Sequence, residues 1–149
     1  MNIIVSDLCS NDRACWEKLY YGYAEFYNVP MNQEILDTVW SWIFDEQNKF
    51  YALIAKSDGG EALGLMHYRE MASPLRGKVV GFLDDLYVVP EYRGQGVVGA
   101  LFESLRGSAK SRAWPFVRWI TSENNYRGRS FYDKLAEKTH WLTYQMPVE

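Results

Sequence analysis

Cysteine and histidine are scarce in this chain, two of each in 149 residues. Cys9 and Cys15 are too few for a disulfide framework, and with His67 and His140 they form no metal-ligand spacing, so free thiols and no metal are expected. No window reaches the roughly 18 apolar residues that a membrane span needs, and Met1 to Asp7 lacks a charged segment leading into an apolar run, which makes the cytoplasm the expected location. A surplus of positive charge is also missing. Lys and Arg number 16 against 19 Asp and Glu, for a net charge of −3. No basic cluster survives among those acids, which argues against a nucleic-acid partner and leaves a cationic small molecule as the easier one. Neither a Ser/His/Asp order nor a nucleophile-elbow sequence is present. With no repeat, low-complexity tract or linker, the length predicts a single domain over 1–149.

Hydrophobic residues make up 48% and charged residues 23%, as in soluble globular chains, while the aromatic share of 16% is high. Tyr20, Tyr21, Tyr23, Tyr27, Trp40 and Trp42 concentrate in the first third. Most belong to a core, and a surplus such as Trp40, Trp42, Tyr23 and Tyr27 can wall a pocket that, with Glu25, favours a cation. Asn2 to Val5 reads as a short strand. Ser10, Asn11 and Asp12 are N-cap types, followed by Trp16, Leu19, Tyr20, Tyr23, Phe26 and Tyr27 at helical spacing up to Asn28-Val29-Pro30. A second helix is expected from Asn32, burying Ile35, Leu36, Val39, Trp40, Ile43 and Phe44. Phe50 to Lys56 and Ala62 to Arg69 read as strands about the turn Ser57-Asp58-Gly59-Gly60, and Ser73 to Gly77 leads into a long central strand, Val79 to Val89. A helix with the stripe Val97, Leu101, Leu105 and Ala109 comes next. Phe116 to Thr121 forms another strand, Asn124 or Asn125 caps a helix to about Lys138, and Trp141 to Met146 closes the chain as a final strand. The order β-α-α-β-β-β-α-β-α-β predicts an α/β domain with a central, mixed and mostly antiparallel sheet flanked by helices.

The central strand feeds the turn Arg93-Gly94-Gln95-Gly96-Val97-Val98-Gly99, which opens a helix. Backbone N–H groups without intrahelical partners, at the positive end of a helix, attract phosphate. Glycines let the chain approach an anion, and Arg93 adds charge at the mouth. This makes a candidate pyrophosphate cradle. It lacks the Gly-Lys-Ser/Thr ending of a Walker loop, and it lies too far along the chain for a Rossmann fingerprint. The pattern resembles motif A of the GCN5-related N-acetyltransferases (the GNAT family), Arg/Gln-x-x-Gly-x-Gly/Ala after a strand, with Val98 departing from the usual small last residue. The family also places an Asn at the end of its fifth strand and a Tyr seven positions later, as Asn125 and Tyr132 stand here. The resemblance spans about Ala52 to Met146. The closing run Tyr132 to Thr139 looks like the ending of the Hpa2-type subgroup, and Leu83-Asp84-Asp85 resembles the acidic strand of polyamine acetyltransferases.

What this resemblance implies is transfer of an acetyl group from acetyl-CoA to a primary amine of a small molecule, a polyamine or amino acid, by direct attack through a tetrahedral intermediate. An alkylammonium has a pKa of about 10.4, so presenting it neutral at pH 7 costs about 4 to 5 kcal/mol and calls for a base. Asp84 is the candidate, with Asp85, Glu70 or a water chain as alternatives. Adjacent strand residues point to opposite faces, so both aspartates can serve one face only if a bulge intervenes. Leu86, Tyr87 and Val88 are expected along the pantetheine arm, the Val88 N–H at the oxyanion, Arg93 to Gly99 on the diphosphate, and Asn125 at the cofactor or as a helix cap. Tyr132 is the expected proton donor to sulfur. The alternatives are acetylation of a protein lysine or N-terminus, and a non-catalytic acyl-CoA sensor. The resemblance also suggests a homodimer, with Trp141-Leu142-Thr143-Tyr144 as a contact edge.

Overall fold

A computed structural model describes the chain from Met1 to Glu149. Its residues group into two compact units, Met1–Trp119 and Ile120–Glu149. The first contains β1 (Ile3–Asp7), α1 (Arg13–Phe26), α2 (Gln33–Phe44), β2 (Phe50–Ser57), β3 (Ala62–Ser73), β4 (Lys78–Val88), α3 (Val97–Ser111) and β5 (Val117–Trp119). The strands form one sheet in the order β1-β2-β3-β4-β5. Its first four strands are antiparallel, and β5 alone runs parallel to its neighbour. The expected mixed, mostly antiparallel α/β sheet is therefore present.

Helices cover both faces of the sheet, which is why β2 and β3 are buried as continuous runs rather than at alternate residues. Trp16, Leu19, Tyr20, Leu36 and Val39 of α1 and α2 pack on Ala52, Ile54 and Leu65. Residues of the opposite parity meet α3: a Cβ at Gly64 would lie 3.3 Å from Val97. The stripe Val97, Leu101, Leu105 and Ala109 is buried throughout. Asn32 caps α2 by accepting from the Ile35 N–H at 2.9 Å, as its side chain suits it to do. Asp12 stands at the start of α1 but turns its carboxylate back, accepting from the Cys9 N–H at 2.9 Å and from Lys56 Nζ at 2.6 Å.

The second unit contains α4 (Tyr126–Leu135), three residues shorter than its sequence suggests, because Ala136 is already extended. The expected strand from Trp141 to Met146 is absent: residues 136–149 form no helix or strand. Apolar, β-prone composition suits a strand without making one. A strand exists only where a neighbour takes its N–H and C=O groups, and none in this chain does. Trp141, Leu142, Tyr144 and Met146 are instead 76 to 89% exposed. No helix of the chain is long and apolar enough to cross a membrane.

Candidate active site

The site begins with an irregularity in pairing. Along β3 and β4 the register runs Met66 with Leu86 and His67 with Asp85, then jumps to Tyr68 with Leu83. Asp84 is the extra residue of a β-bulge. The bulge breaks the alternation that would send neighbouring side chains to opposite faces, and both Asp84 and Asp85 line one cavity of about 650 Å³. Tyr20, Trp42 and Phe50 wall that cavity, Lys49 and Arg69 bring positive charge, and Glu70 adds a third carboxylate. Of the aromatic residues singled out for a pocket, Trp42 lines it. Trp40 packs on Trp16 with ring centroids 5.1 Å apart, and Tyr23 packs on Tyr27 at 4.8 Å.

The two aspartates differ sharply in their surroundings. Asp85 Oδ2 accepts from the Tyr20 hydroxyl at 2.9 Å and lies 2.8 Å from His67 Nδ1. Burial alone would raise its carboxyl, but hydrogen bonds from His67, Tyr20 and Tyr23 hold it below the usual carboxylate range. The Tyr20 and Tyr23 phenols respond in the opposite sense, pushed up by burial and by the Asp85 charge. Asp84 has no such set of donors. Arg69 Nε lies 3.1 Å from its Oδ2, an ion contact without hydrogen-bond alignment, so that buried oxygen has no hydrogen-bond partner. Burial pushes the Asp84 carboxyl up; the Arg69 guanidinium opposes this and the Asp85 charge reinforces it. A carboxylate raised in this way and short of donors is suited to take a proton. Glu70 is partly occupied, accepting from Trp114 Nε1 at 2.8 Å.

Beyond the bulge β4 loses a neighbour. Its parallel pairing with β5 spans Gly81, Phe82 and Leu83 and goes no further. The Val89 N–H donates to Leu63 O at 2.9 Å, towards β3. By the alternation of the ladder, the Val88 N–H points the other way, to the side without a strand. Arg93 reaches back over this edge, its Nε donating to Val88 O at 3.2 Å and its guanidinium lying 4.8 Å from the Phe26 ring centre and 5.9 Å from that of Tyr87.

Leu86, Tyr87 and Val88 lead through Pro90 to the glycine turn. The amides of Gly94, Gln95, Gly96, Val97, Val98 and Gly99 find no acceptor in the protein, and the Ala100 N–H, bonded to Gly96 O at 3.1 Å, is the first to do so. Gly94 and Gly96 hold φ of 77° and 91°, a region open to glycine and strained for other residues. A run of unbonded amides at the start of a fifteen-residue helix fits a diphosphate. Val98, at the position expected to be small, is half-buried in the first turn of α3.

Asn125 and Tyr132 lie in the second unit. Asn125 caps α4, its Oδ1 accepting from the Gly128 N–H at 3.3 Å while its Nδ2 donates to Thr121 Oγ1 at 2.9 Å. Tyr132 lies within α4 and is half-buried. Sequence reasoning passed over Trp16, Tyr20 and His67, the first two as core aromatics and the third as a lone histidine. The one available clue was a polar ring within the otherwise apolar run Ala62 to Tyr68.

A sequence model of the Acetyltransferase (GNAT) family matches residues 16–136. The D-amino-acid N-acetyltransferase HPA3 of Saccharomyces cerevisiae is 29% identical over 144 residues, covering 96% of this chain and 89% of that protein. The thialysine N-epsilon-acetyltransferase of Mus musculus is 26% identical over 118 residues, covering 71% and 69%. Among solved structures, AAC(6')-Iy in complex with the bisubstrate analogue CoA-S-monomethyl-acetylneamine superposes with a TM-score of 0.86 over 99% of each chain at 16% identity, a likeness of fold. A family match that enters at Trp16 and runs through the bulge and the glycine turn into α4 leaves no large part of the architecture outside it: the chain belongs to the acetyltransferase (GNAT) family, whose general chemistry is acetyl transfer from acetyl-CoA.

Proposed function

We propose that this chain acetylates the primary amine of a small molecule, and that an amino acid suits it better than a polyamine. The observation that carries this is the bulge cavity, where Asp84 contacts Arg69 and Lys49 lines the same wall. A polyamine brings only positive charge: Asp84, Asp85 and Glu70 would attract it, but Lys49 and Arg69 would oppose it and find no anion in it. An amino acid brings an ammonium for Asp84 and a carboxylate that Arg69 can grip in a fork. The yeast and mouse relatives, whose names specify a D-amino acid and thialysine, agree with this choice. The closing run Tyr132 to Thr139 resembles the Hpa2-type ending, while Leu83-Asp84-Asp85 resembles the acidic strand of polyamine acetyltransferases.

Acetyl-CoA, when bound, supplies the thioester carbonyl that the amine attacks. Asp84 takes the proton from the ammonium; presenting that amine neutral at pH 7 costs about 4 to 5 kcal/mol. The Val88 N–H, facing the open side of β4, is the proposed donor to the developing oxyanion. Leu86, Tyr87 and Val88 flank the pantetheine arm, and the amides of Gly94 to Gly99 hold the diphosphate, the Arg93 amide being already bonded to Pro90 O at 3.3 Å, with Asn125 near the cofactor. Tyr132, from its spacing to Asn125, is the proposed proton donor to the leaving sulfur; a phenol near 10 and a thiol near 8.5 make that transfer close to balanced. A homodimer is proposed through the edge Trp141-Leu142-Thr143-Tyr144, whose exposed Trp141, Leu142 and Tyr144 are apolar side chains of the kind that mark contact surfaces.

Thiol release from acetyl-CoA in the presence of L- and D-amino acids, polyamines and lysine peptides tests the assignment. Turnover is expected with free amino acids and is expected to fall when the carboxylate is amidated. Turnover confined to polyamines or to peptides would overturn the amino-acid choice, and tight acetyl-CoA binding with no turnover on any amine would point to a sensor.

A further inference from the structure

His67 is fully buried, on β3, opposite Asp85. A buried polar ring is costly unless each of its polar atoms is met. Here both are: Trp16 Nε1 lies 3.0 Å from His67 Nε2, and His67 Nδ1 lies 2.8 Å from Asp85 Oδ2. The 2.8 Å contact has the distance of an ion pair, but the indole decides the matter. An indole N–H only donates, so Nε2 must accept, the proton sits on Nδ1, and the imidazole is neutral. It is a donor to Asp85 fixed in one tautomer. Tyr20 sends a second bond to the same oxygen at 2.9 Å. Donors from α1 and β3 thus converge on one carboxylate, and the next residue along the bulge is Asp84.

We propose that Trp16, His67 and Tyr20 form a positioning network that holds Asp85 ionised, and that this fixed negative charge beside Asp84 raises the basicity of the carboxylate receiving the amine's proton. The network rests on Asp84 as the base proposed above. It explains why two acidic residues stand side by side at the bulge with only one of them supplied with donors. The charged and titratable groups around the pair are few: His67 and Arg69 from β3, Tyr20 and Tyr23 from α1 with Tyr27 at its end, and Lys49 and Glu70 at the cavity wall. From α2 and β2 the cavity receives Val39, Trp42 and Phe50, none of which titrates. Arg69 is the one nearby cation in contact with Asp84, so Asp85 is the group that offsets it.

The test is the pH dependence of kcat/KM in the full chain, with thermal melting and acetyl-CoA affinity measured alongside. Asp85→Asn keeps an acceptor for Tyr20 and His67 and removes the charge. Its acid limb is expected to move down by about one pH unit and its plateau to fall about tenfold, while acetyl-CoA affinity holds. His67→Leu removes a donor, lets Asp85 take a proton, and is expected to shift the limb in the same direction. His67→Asn keeps an N–H where Nδ1 stood and is expected to leave the limb at the wild-type pH. An unmoved limb in Asp85→Asn overturns the proposal, whatever happens to the plateau, and it decides the question even if His67→Leu fails to fold. Asp84→Asn separates the two levels: full activity there removes Asp84 as base, whereas its loss together with an unmoved limb in Asp85→Asn removes only the network.

Discussion

Strand β4 joins two polar regions built on opposite plans. At the bulge the polarity is in side chains, and the protein supplies most of the partners itself: Asp85 is held by Tyr20 and His67, and Asp84 touches Arg69. At the glycine turn the polarity is in the backbone, and the protein supplies none: six consecutive amides from Gly94 to Gly99 are unbonded. The contrast teaches what each region is for. Unbonded amides exposed to water cost little and can hold any chain's diphosphate, so this half of the site is generic. A carboxylate inside a cavity must be tuned by named neighbours, so this half is particular to the chain and its amine.

The comparison breaks first at the turn. Gly96→Asp places a side chain at φ 91° and a negative charge among the free amides. Acetyl-CoA affinity measured by calorimetry is expected to fall below detection; intact binding would show that the amides serve no anion. At the bulge, Asp84→Asn is expected to lower kcat about a hundredfold while acetyl-CoA affinity stays constant, the range typical of a lost general base. The second unit offers a smaller effect. Tyr132→Phe is expected to reduce turnover at least tenfold with acetyl-CoA affinity little changed, and an unaltered rate would take Tyr132 out of the reaction.

The smallest effect is on stability, at a carboxylate away from the cavity. Asp12 is buried, which by itself would raise its carboxyl, yet Lys56 and the Cys9 N–H hold it below the ordinary value. A depressed folded-state pKa means that the unfolded chain protonates first. The stabilisation is therefore complete above about pH 4 and is lost as pH falls through the folded value. Asp12→Asn is expected to cost about 1 to 2 kcal/mol at pH 7 in urea unfolding, discounted because the Lys56 side chain is 31% exposed, and the difference from wild type is expected to shrink below pH 4. A constant difference down to pH 2 would mean that the ion pair contributes nothing.

Much of the fold was legible because local chemistry writes it. Asn32 caps α2 as its type requires, the stripe Val97, Leu101, Leu105 and Ala109 is buried, and the strand-turn-helix around Arg93 stands where its glycines put it. The missing strand at Trp141 was misread for a physical reason. Alternation and β-prone residues describe a surface fit for pairing, and the pairing partner is not in the local sequence. His67 was invisible for a related reason. Its three neighbours in the network come from positions 16, 20 and 85, and no window of sequence contains them together.

By itself, then, the sequence determined the periodicities, the caps and the positive-φ glycines, since these depend on residues within a turn or two of one another. It also set an Asp-Asp pair in a strand, without saying whether the two faced the same way. Only the tertiary structure decided that. Pairing with β3 forces the bulge at Asp84, packing of α1 brings Trp16 and Tyr20 over His67 and Asp85, and the end of β5 at Trp119 leaves one edge of β4 open. The basicity of a carboxylate is a property of what surrounds it, and what surrounds Asp84 is assembled from distant parts of the chain.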